Sequence, residues 1–346
     1  MGKSIIDFAS VTTVGLDLAK HVFQVHGVDA AGRVVFNKAV KRDKLLAFFA
    51  ALPPCLVGLE ACGSAHHWTR ELIKLGHDAR MMPPIYVKPY VRRQKNDAAD
   101  AAAICEAVAR PSMRFVSPRS VENQAALMRH KAREMLVAQR TQLLNSVRGH
   151  LGEIGVIAPQ GPRAARELAG LIEACDESLP LDVCAALAEL VVQLRRLDEA
   201  IDRLDKTIAK SAQADVTARR LMTIPGVGPI TASAIVAAVP DVSGFSGPRE
   251  FAAFLGLTPR QRSSGGKERL GRISKMGNRY LRKLLVVGAH AVLFHRKAHD
   301  DALRMWAKKL IDKKPFKLVA VALANKLARV VFAILKAETS YRAVPA

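Results

Sequence analysis

Long uninterrupted apolar runs are missing from this 346-residue chain. None reaches 18 residues, the length at which a bilayer-spanning helix becomes the first reading. CxxC pairs are missing too: Cys55, Cys62, Cys105, Cys175 and Cys184 are scattered and odd in number. That argues against structural zinc and for reduced thiols in a cytoplasmic protein. The opening stretch, MGKSIIDFASVTTVGLDLAK, has no secretory core or cleavage site. Aromatic anchors on a long basic amphipathic helix are absent, which makes a membrane a poor partner. Acidity is also scarce: 31 Asp and Glu face 53 Lys and Arg, a formal charge of +22. An excess of that size favours a polyanion, nucleic acid first.

Half of the residues are hydrophobic, enough to give two or three domains a core each. Alternation marks three strands, VTTVGLDL, HVFQVHGV and RVVFNKAV, with DAAG turning the second into the third. RDKLLAFFAAL reads as a helix, CLVGLE as an apolar strand, SAHHWTRELIKLG as a helix closed by Gly76, and HDARMM as a further strand. This order predicts an α/β domain, a mixed sheet with helices on its faces, over residues 1–152. From about Ser120 the pattern becomes helical. Leu190, Leu194, Leu197, Ile201, Leu204 and Ile208 step by fours and threes, the heptad seam of a coiled coil within or between chains. A helical coiled-coil region is therefore expected over 153–211 and a mostly helical C-terminal domain over 212–346.

Two aspartates, Asp97 and Asp100, stand three apart in KNDAADAAAI, behind Arg92, Arg93 and Lys95. Alanine makes the stretch a helix, Asn96 is its expected N-cap, and residues i and i+3 share a face. Asp17 ends the first strand and Glu60 the fourth. Strand ends at a sheet edge are where side chains converge. Four carboxylates gathered at one point repel one another, and hard divalent cations such as Mg²⁺ or Mn²⁺ resolve the conflict. Two such ions can activate a nucleophile and stabilise a leaving oxygen in phosphodiester chemistry. The order D, E, DxxD on this string of elements is the layout of a ribonuclease H-like nuclease. The basic run before Asp97 is then the part that holds a nucleic-acid backbone.

IPGVGPITASAIVAAV describes a helix-hairpin-helix: Gly226 and Gly228 let backbone approach a phosphate, and the next helix offers its amides. Further on, Ser263 and Ser264 precede two glycines in a loop carrying Arg260, Arg262, Lys267, Arg269 and Arg272, with Lys275 and Arg279 following. A serine among fixed cations is placed to attack phosphorus, the cations stabilising the charged transition state. No His–Asp pattern accompanies it. Residues 260–317 hold 17 Lys and Arg against four Asp and Glu, more than half of the whole excess. Such density suits phosphate contacts.

Together VGLDLAK, GLEACGSAHHW, RRQKNDAADAAAI, IPGVGPITA, FAAFLGLTPRQRSSGGK and GRISKMGNRYLRKLL make the chain resemble the DEDD transposases of insertion sequences. Within them it is similar to the bridge-RNA-guided recombinases of the IS110 type, IS1111 branch. The resemblance covers nearly the full length. It implies a RuvC-like (RNase H-fold) N-terminal domain, a coiled-coil section and a C-terminal transposase domain. It implies that Asp17, Glu60, Asp97 and Asp100 bind Mg²⁺ and that Ser264, with Ser263 as the competing assignment, links covalently to DNA. It also implies a noncoding bridge RNA as partner, element ends and target DNA as substrates, and a homo-oligomer (dimer or tetramer) working at the bacterial nucleoid. Two rivals stand beside this reading. One is a RuvC-like structure-specific endonuclease releasing hydrolysed ends, the other a non-catalytic basic nucleic-acid-binding protein.

Overall fold

The computed structural model describes residues 8–91, 96–157, 159, 161–295 and 301–342. The chain divides into two compact units, residues 1–120 and 121–346. The division falls ahead of the long helix that the sequence reading groups with the first domain.

The first unit is built on strands β1 (Val11–Asp17), β2 (Val22–Asp29) and β3 (Val34–Lys41). Helix α1 (Leu45–Ala50), strand β4 (Leu56–Glu60), helix α2 (Ala65–Lys74) and strand β5 (Asp78–Met82) follow. A short α3 (Pro84–Val87) and the helix α4 (Asp97–Val108) complete it. The sheet order is β3-β2-β1-β4-β5. β1–β2 and β2–β3 are antiparallel, β1–β4 and β4–β5 parallel. The turn after β2 is set by Asp29, whose carboxylate accepts from the amides of Ala31 and Arg33. This mixed sheet is consistent with the expected RNase H-like layout.

Side chains alternate across a sheet, and here both faces are covered. Val14, Leu16, Phe23, Val25, Val57, Leu59 and Met81 bury one face together with Phe49, Trp68 and Leu72 of α1 and α2. Met82 packs with Ile104, Ala107 and Val108 of α4.

The second unit is mainly helical. Its long α5 (Val121–Glu153) is followed by α6 (Pro162–Glu173), the equally long α7 (Leu181–Ala214), α8 (Val216–Met222) and α9 (Pro229–Ala238). Next come α10 (Pro248–Phe254), a hairpin of β6 (Pro259–Gln261) and β7 (Leu270–Ile273), and helices α11 (Arg279–Phe294), α12 (Ala302–Ile311) and α13 (Phe316–Ala337). The heptad seam packs within the chain: Leu194, Leu197, Ile201 and Ile208 are buried, and α7 packs on α5. Arg133 forks onto Asp205, and Arg140 reaches Asp198 at 2.9 Å. One heptad forward on α5 meets one heptad back on α7, the signature of an antiparallel pair. By length and composition α13 could cross a membrane. Its Val319, Leu323, Leu327 and Val331 instead lie buried in the core of this unit.

One sequence expectation is overturned. Cys175 and Cys184 form a disulfide, with Cα atoms 5.6 Å apart, so not all five cysteines are free thiols. The turn from α6 into α7 folds these two residues together, which their spacing in a motif-free stretch does not announce. Cys55 and Cys105 are buried free thiols and Cys62 is an exposed one.

Candidate active site and nucleic-acid interface

The site in the first unit starts from two glycines. Gly15 on β1 and Gly58 on β4 are register partners. A Cβ on Gly15 would fall 2.0 Å from the carbonyl oxygen of Ala101, and one on Gly58 would fall 2.7 Å from Cβ of Val108. Only glycine lets α4 lie this near the sheet. Asp17 and Glu60 are two residues beyond these glycines, so they share the face that α4 covers. They are also the residues next after the paired Leu16 and Leu59, which sets them side by side at the ends of adjacent parallel strands.

The helix brings the other half. Asn96 caps α4 as the sequence predicts, its side chain accepting from the Ala99 amide at 2.7 Å. Asp97 and Asp100 occupy the first turn, where the helix dipole favours negative charge. Ligand oxygens of Asp17, Asp97 and Asp100 all lie within 4.8 Å of one another, with Asp17 and Asp100 half-buried and Asp97 exposed. Glu60 lies on the same edge but is not one of the three. Three carboxylates this close form a hard-oxygen donor set, which fits Mg²⁺ or Mn²⁺ rather than a soft metal. Arg92, Arg93 and Lys95, expected to hold nucleic acid beside them, lie outside the described residues.

In the second unit the stretch expected as a helix-hairpin-helix runs from α8 through a turn into α9. Gly226 has φ +82°, and a Cβ there would come within 2.6 Å of the Gly288 carbonyl oxygen on α11. Its close approach is thus to another helix of the same unit. Gly228 is exposed and stands at the N-cap of α9 with open space around it. His130 of α5 bridges Tyr280 of α11 at 3.2 Å and Ser233 of α9 at 3.1 Å. Burial lowers the His130 pKa to about 4, so the imidazole stays neutral.

The serine stretch, expected as a loop, is an ordered hairpin. Gly265 and Gly266 both have positive φ, and the Lys267 amide donates to the Ser264 carbonyl at 3.1 Å. That is a two-residue turn of the type Gly-Gly favours. The serines differ in their bonding. Ser263 Oγ accepts from the Arg269 amide at 3.2 Å, stitching the hairpin together. Ser264 Oγ has no hydrogen-bond partner among the described residues. Arg262, Lys267, Arg269 and Arg272 are exposed around it, as are Lys275 and Arg279 farther along. Arg260 donates to the Ser274 carbonyl at 3.1 Å. Sequence reasoning missed Arg282, which donates to the carbonyls of Leu255 and Met276 at 2.8 and 2.9 Å and ties down the hairpin's foot. Its only trace in the sequence is one more positive charge in a basic run.

Comparison with known proteins adds two family matches. The transposase family described as IS116/IS110/IS902 matches residues 218–304, and a DEDD transposase profile of the IS110 kind matches residues 14–156. A probable family 20 transposase of Pseudomonas aeruginosa is 49% identical over 96% of this chain and 99% of its own length. The transposase for insertion sequence element IS1111A of Coxiella burnetii is 40% identical over 96% and 92%. That for IS1328 of Yersinia enterocolitica is 37% identical over 96% and 99%.

Proposed function

Since the chain belongs to the IS110/IS116 transposase family, we propose that it cuts and rejoins DNA through a covalent link to Ser264. The observation that carries this reading is the convergence of Asp17, Asp97 and Asp100 on one point at the sheet edge. With Glu60 beside them they form the set that would hold Mg²⁺ or Mn²⁺. Ions bound there would supply Lewis-acid stabilisation of phosphoryl oxygens.

The remaining chemistry belongs to the chain. Ser264 Oγ forms a bond to phosphorus as the bond to the strand's leaving oxygen breaks, and the proton lost by the serine is made up at that oxygen, which departs as a hydroxyl. Charge growing on the phosphoryl oxygens is met by Arg260, Arg262, Lys267, Arg269 and Arg272. The ester to serine keeps the phosphodiester's energy, so that a strand hydroxyl can displace Ser264 and restore a DNA linkage. A hydrolytic nuclease has no use for that intermediate. Ser264 is the better nucleophile than Ser263, because the hydroxyl of Ser263 is engaged in holding the hairpin.

Guidance by a noncoding bridge RNA is part of the same proposal. A +22 chain can hold RNA and DNA by their backbones while base pairing supplies the choice of sequence. Arg92, Arg93, Lys95, Gly226, Gly228, Lys275 and Arg279 are the further contacts we assign to nucleic acid. A dimer or tetramer acting at the nucleoid completes the picture. The test is to purify the protein from cells carrying its element and sequence any RNA bound to it. The purified complex is then supplied with labelled element-end DNA and Mg²⁺. Recovered RNA with loops complementary to the element ends, and joined strands, are expected. Free hydrolysed ends alone would favour the nuclease.

A further inference from the structure

A cavity of about 1140 Å³ opens in the second unit between α13 and the foot of the serine hairpin. Its wall is a second stripe on α13. Val319, Leu323, Leu327 and Val331 face the core, whereas Leu318, Val321, Ala322, Lys326 and Arg329 line the cavity. Leu257, Ile273 and Trp306 extend the apolar floor. An outward helix face is ordinarily polar, and Leu318 is 55% exposed on this one. The rim is wholly cationic: Arg272, Lys275, Lys317, Lys326 and Arg329 line it, and no Asp or Glu does among the described residues.

We propose that this cavity seats an unpaired nucleotide, its base on the apolar floor and its phosphate among the five cations. The proposal deepens the transposase reading and rests on it. Three features select this occupant. An apolar floor alone would suit any hydrophobic segment, but five cations without a counter-charge call for an anion with a flat apolar part. The size suffices: at about 1140 Å³ the cavity somewhat exceeds the roughly 300–1,000 Å³ of sites for drug-sized ligands, leaving room for a base, its sugar and its phosphate. Asn325 donates its Nδ2 to the Leu257 carbonyl at 2.9 Å, which leaves its Oδ1 as an acceptor for a base amino group. Lys326 is held with its Nζ 4.4 Å from the Trp306 ring centre. Burial and the neighbouring Arg329 lower its pKa, a strain that a bound phosphate relieves. Position gives the site a purpose: Arg272 and Ile273 of β7 line it, and β7 leads directly from the serine turn. A displaced nucleotide anchored here would hold the adjoining strand beside Ser264.

Trp306 reports on the cavity. The chain has two tryptophans, and the other, Trp68, is buried in the first unit with its indole N–H unpartnered among the described residues. Phe can replace it there without loss of a hydrogen bond. The full-length Trp68→Phe protein is titrated with a short single-stranded oligothymidylate and with an abasic strand of equal length. Trp306 fluorescence is followed, and light scattering records the oligomeric state. The base-bearing strand is expected to bind about tenfold more tightly than the abasic one, the scale of base–aromatic stacking. Ala322→Phe, which fills the cavity, should remove that difference while far-UV circular dichroism stays unchanged. Lys326→Met, a change on the partly exposed rim, should weaken both strands and serves as a second variant should Ala322→Phe misfold.

Equal binding of base-bearing and abasic strands overturns the proposal. So does an oligomer that Ala322→Phe breaks apart with strand affinity unchanged, because the groove would then be covered by a second copy of the chain. The readout does not depend on cleavage. Strand discrimination without any Ser264–DNA adduct would sink the recombinase reading and leave the cavity, while adducts without discrimination would do the reverse.

Discussion

The carbonyl oxygen of Ala101 on α4 sits over Gly15 of β1 so closely that a Cβ on the glycine would lie 2.0 Å from it. This contact decides where Asp97 and Asp100 sit relative to Asp17. Replacing Gly15 by Ala must push α4 away from the sheet. Overpacking of this kind costs about 1–3 kcal/mol. We expect Gly15→Ala to lower the melting temperature and to weaken Mn²⁺ binding measured by calorimetry. A variant that melts early but binds Mn²⁺ as the parent does would show that the carboxylates do not depend on this packing.

Asp97→Asn and Asp100→Asn each remove a charge from the donor set and keep the shape. Even outer-shell partners of metal ligands cost about 10–100-fold when lost, so we expect a drop in strand cleavage of at least ~100-fold. DNA and RNA affinity should hold in gel-shift assays. Unchanged cleavage in both variants would show that this carboxylate set does not carry the chemistry.

Much of this was legible in the sequence, for identifiable reasons. Strand alternation, the Asn96 cap and the leucine seam of α7 are local patterns, and each took the predicted form. The roles of Gly15 and Gly58 were not legible. A glycine inside an alternating strand gives no hint of which helix approaches it until the strands are in register. SSGG read as a loop because its flanking strands are short and, Ile273 apart, exposed, so no hydrophobic alternation marks them. The Cys175–Cys184 pair depends on a turn between helices, and the cavity on α13 depends on which of two apolar stripes finds a partner.

The α5–α7 pairing predicts a measurable coupling. Arg133 and Asp205 are partly shielded from water and joined by two hydrogen bonds. In a double-mutant cycle with Arg133→Met and Asp205→Asn, an interaction energy of about 1 kcal/mol is expected from chemical denaturation. Additive effects would mean that the helices do not meet in this register.

Acidification should destabilise both units. Burial lowers His66 to about 4, with Arg119 and Arg70 adding to the effect, and burial lowers His130 to about 4. In each case the folded pKa lies below the unfolded value of about 6.5, so the unfolded chain takes up protons that the native one refuses. The stabilisation is complete above pH 6.5 and is lost as pH falls toward 4. Each histidine adds a slope of at most about 1.4 kcal/mol per pH unit. Calorimetric melts between pH 7.5 and 4.5 should show both units weakening, and a flat profile would contradict the buried neutral imidazoles.

The covalent step is tested most directly by denaturing gel electrophoresis of labelled element-end DNA after reaction with wild type, Ser264→Ala and Ser263→Ala in parallel. A protein–DNA adduct that survives denaturation is predicted for wild type and for Ser263→Ala, reduced in the latter by a loosened hairpin, and none for Ser264→Ala. An adduct of undiminished yield from Ser264→Ala would contradict the account.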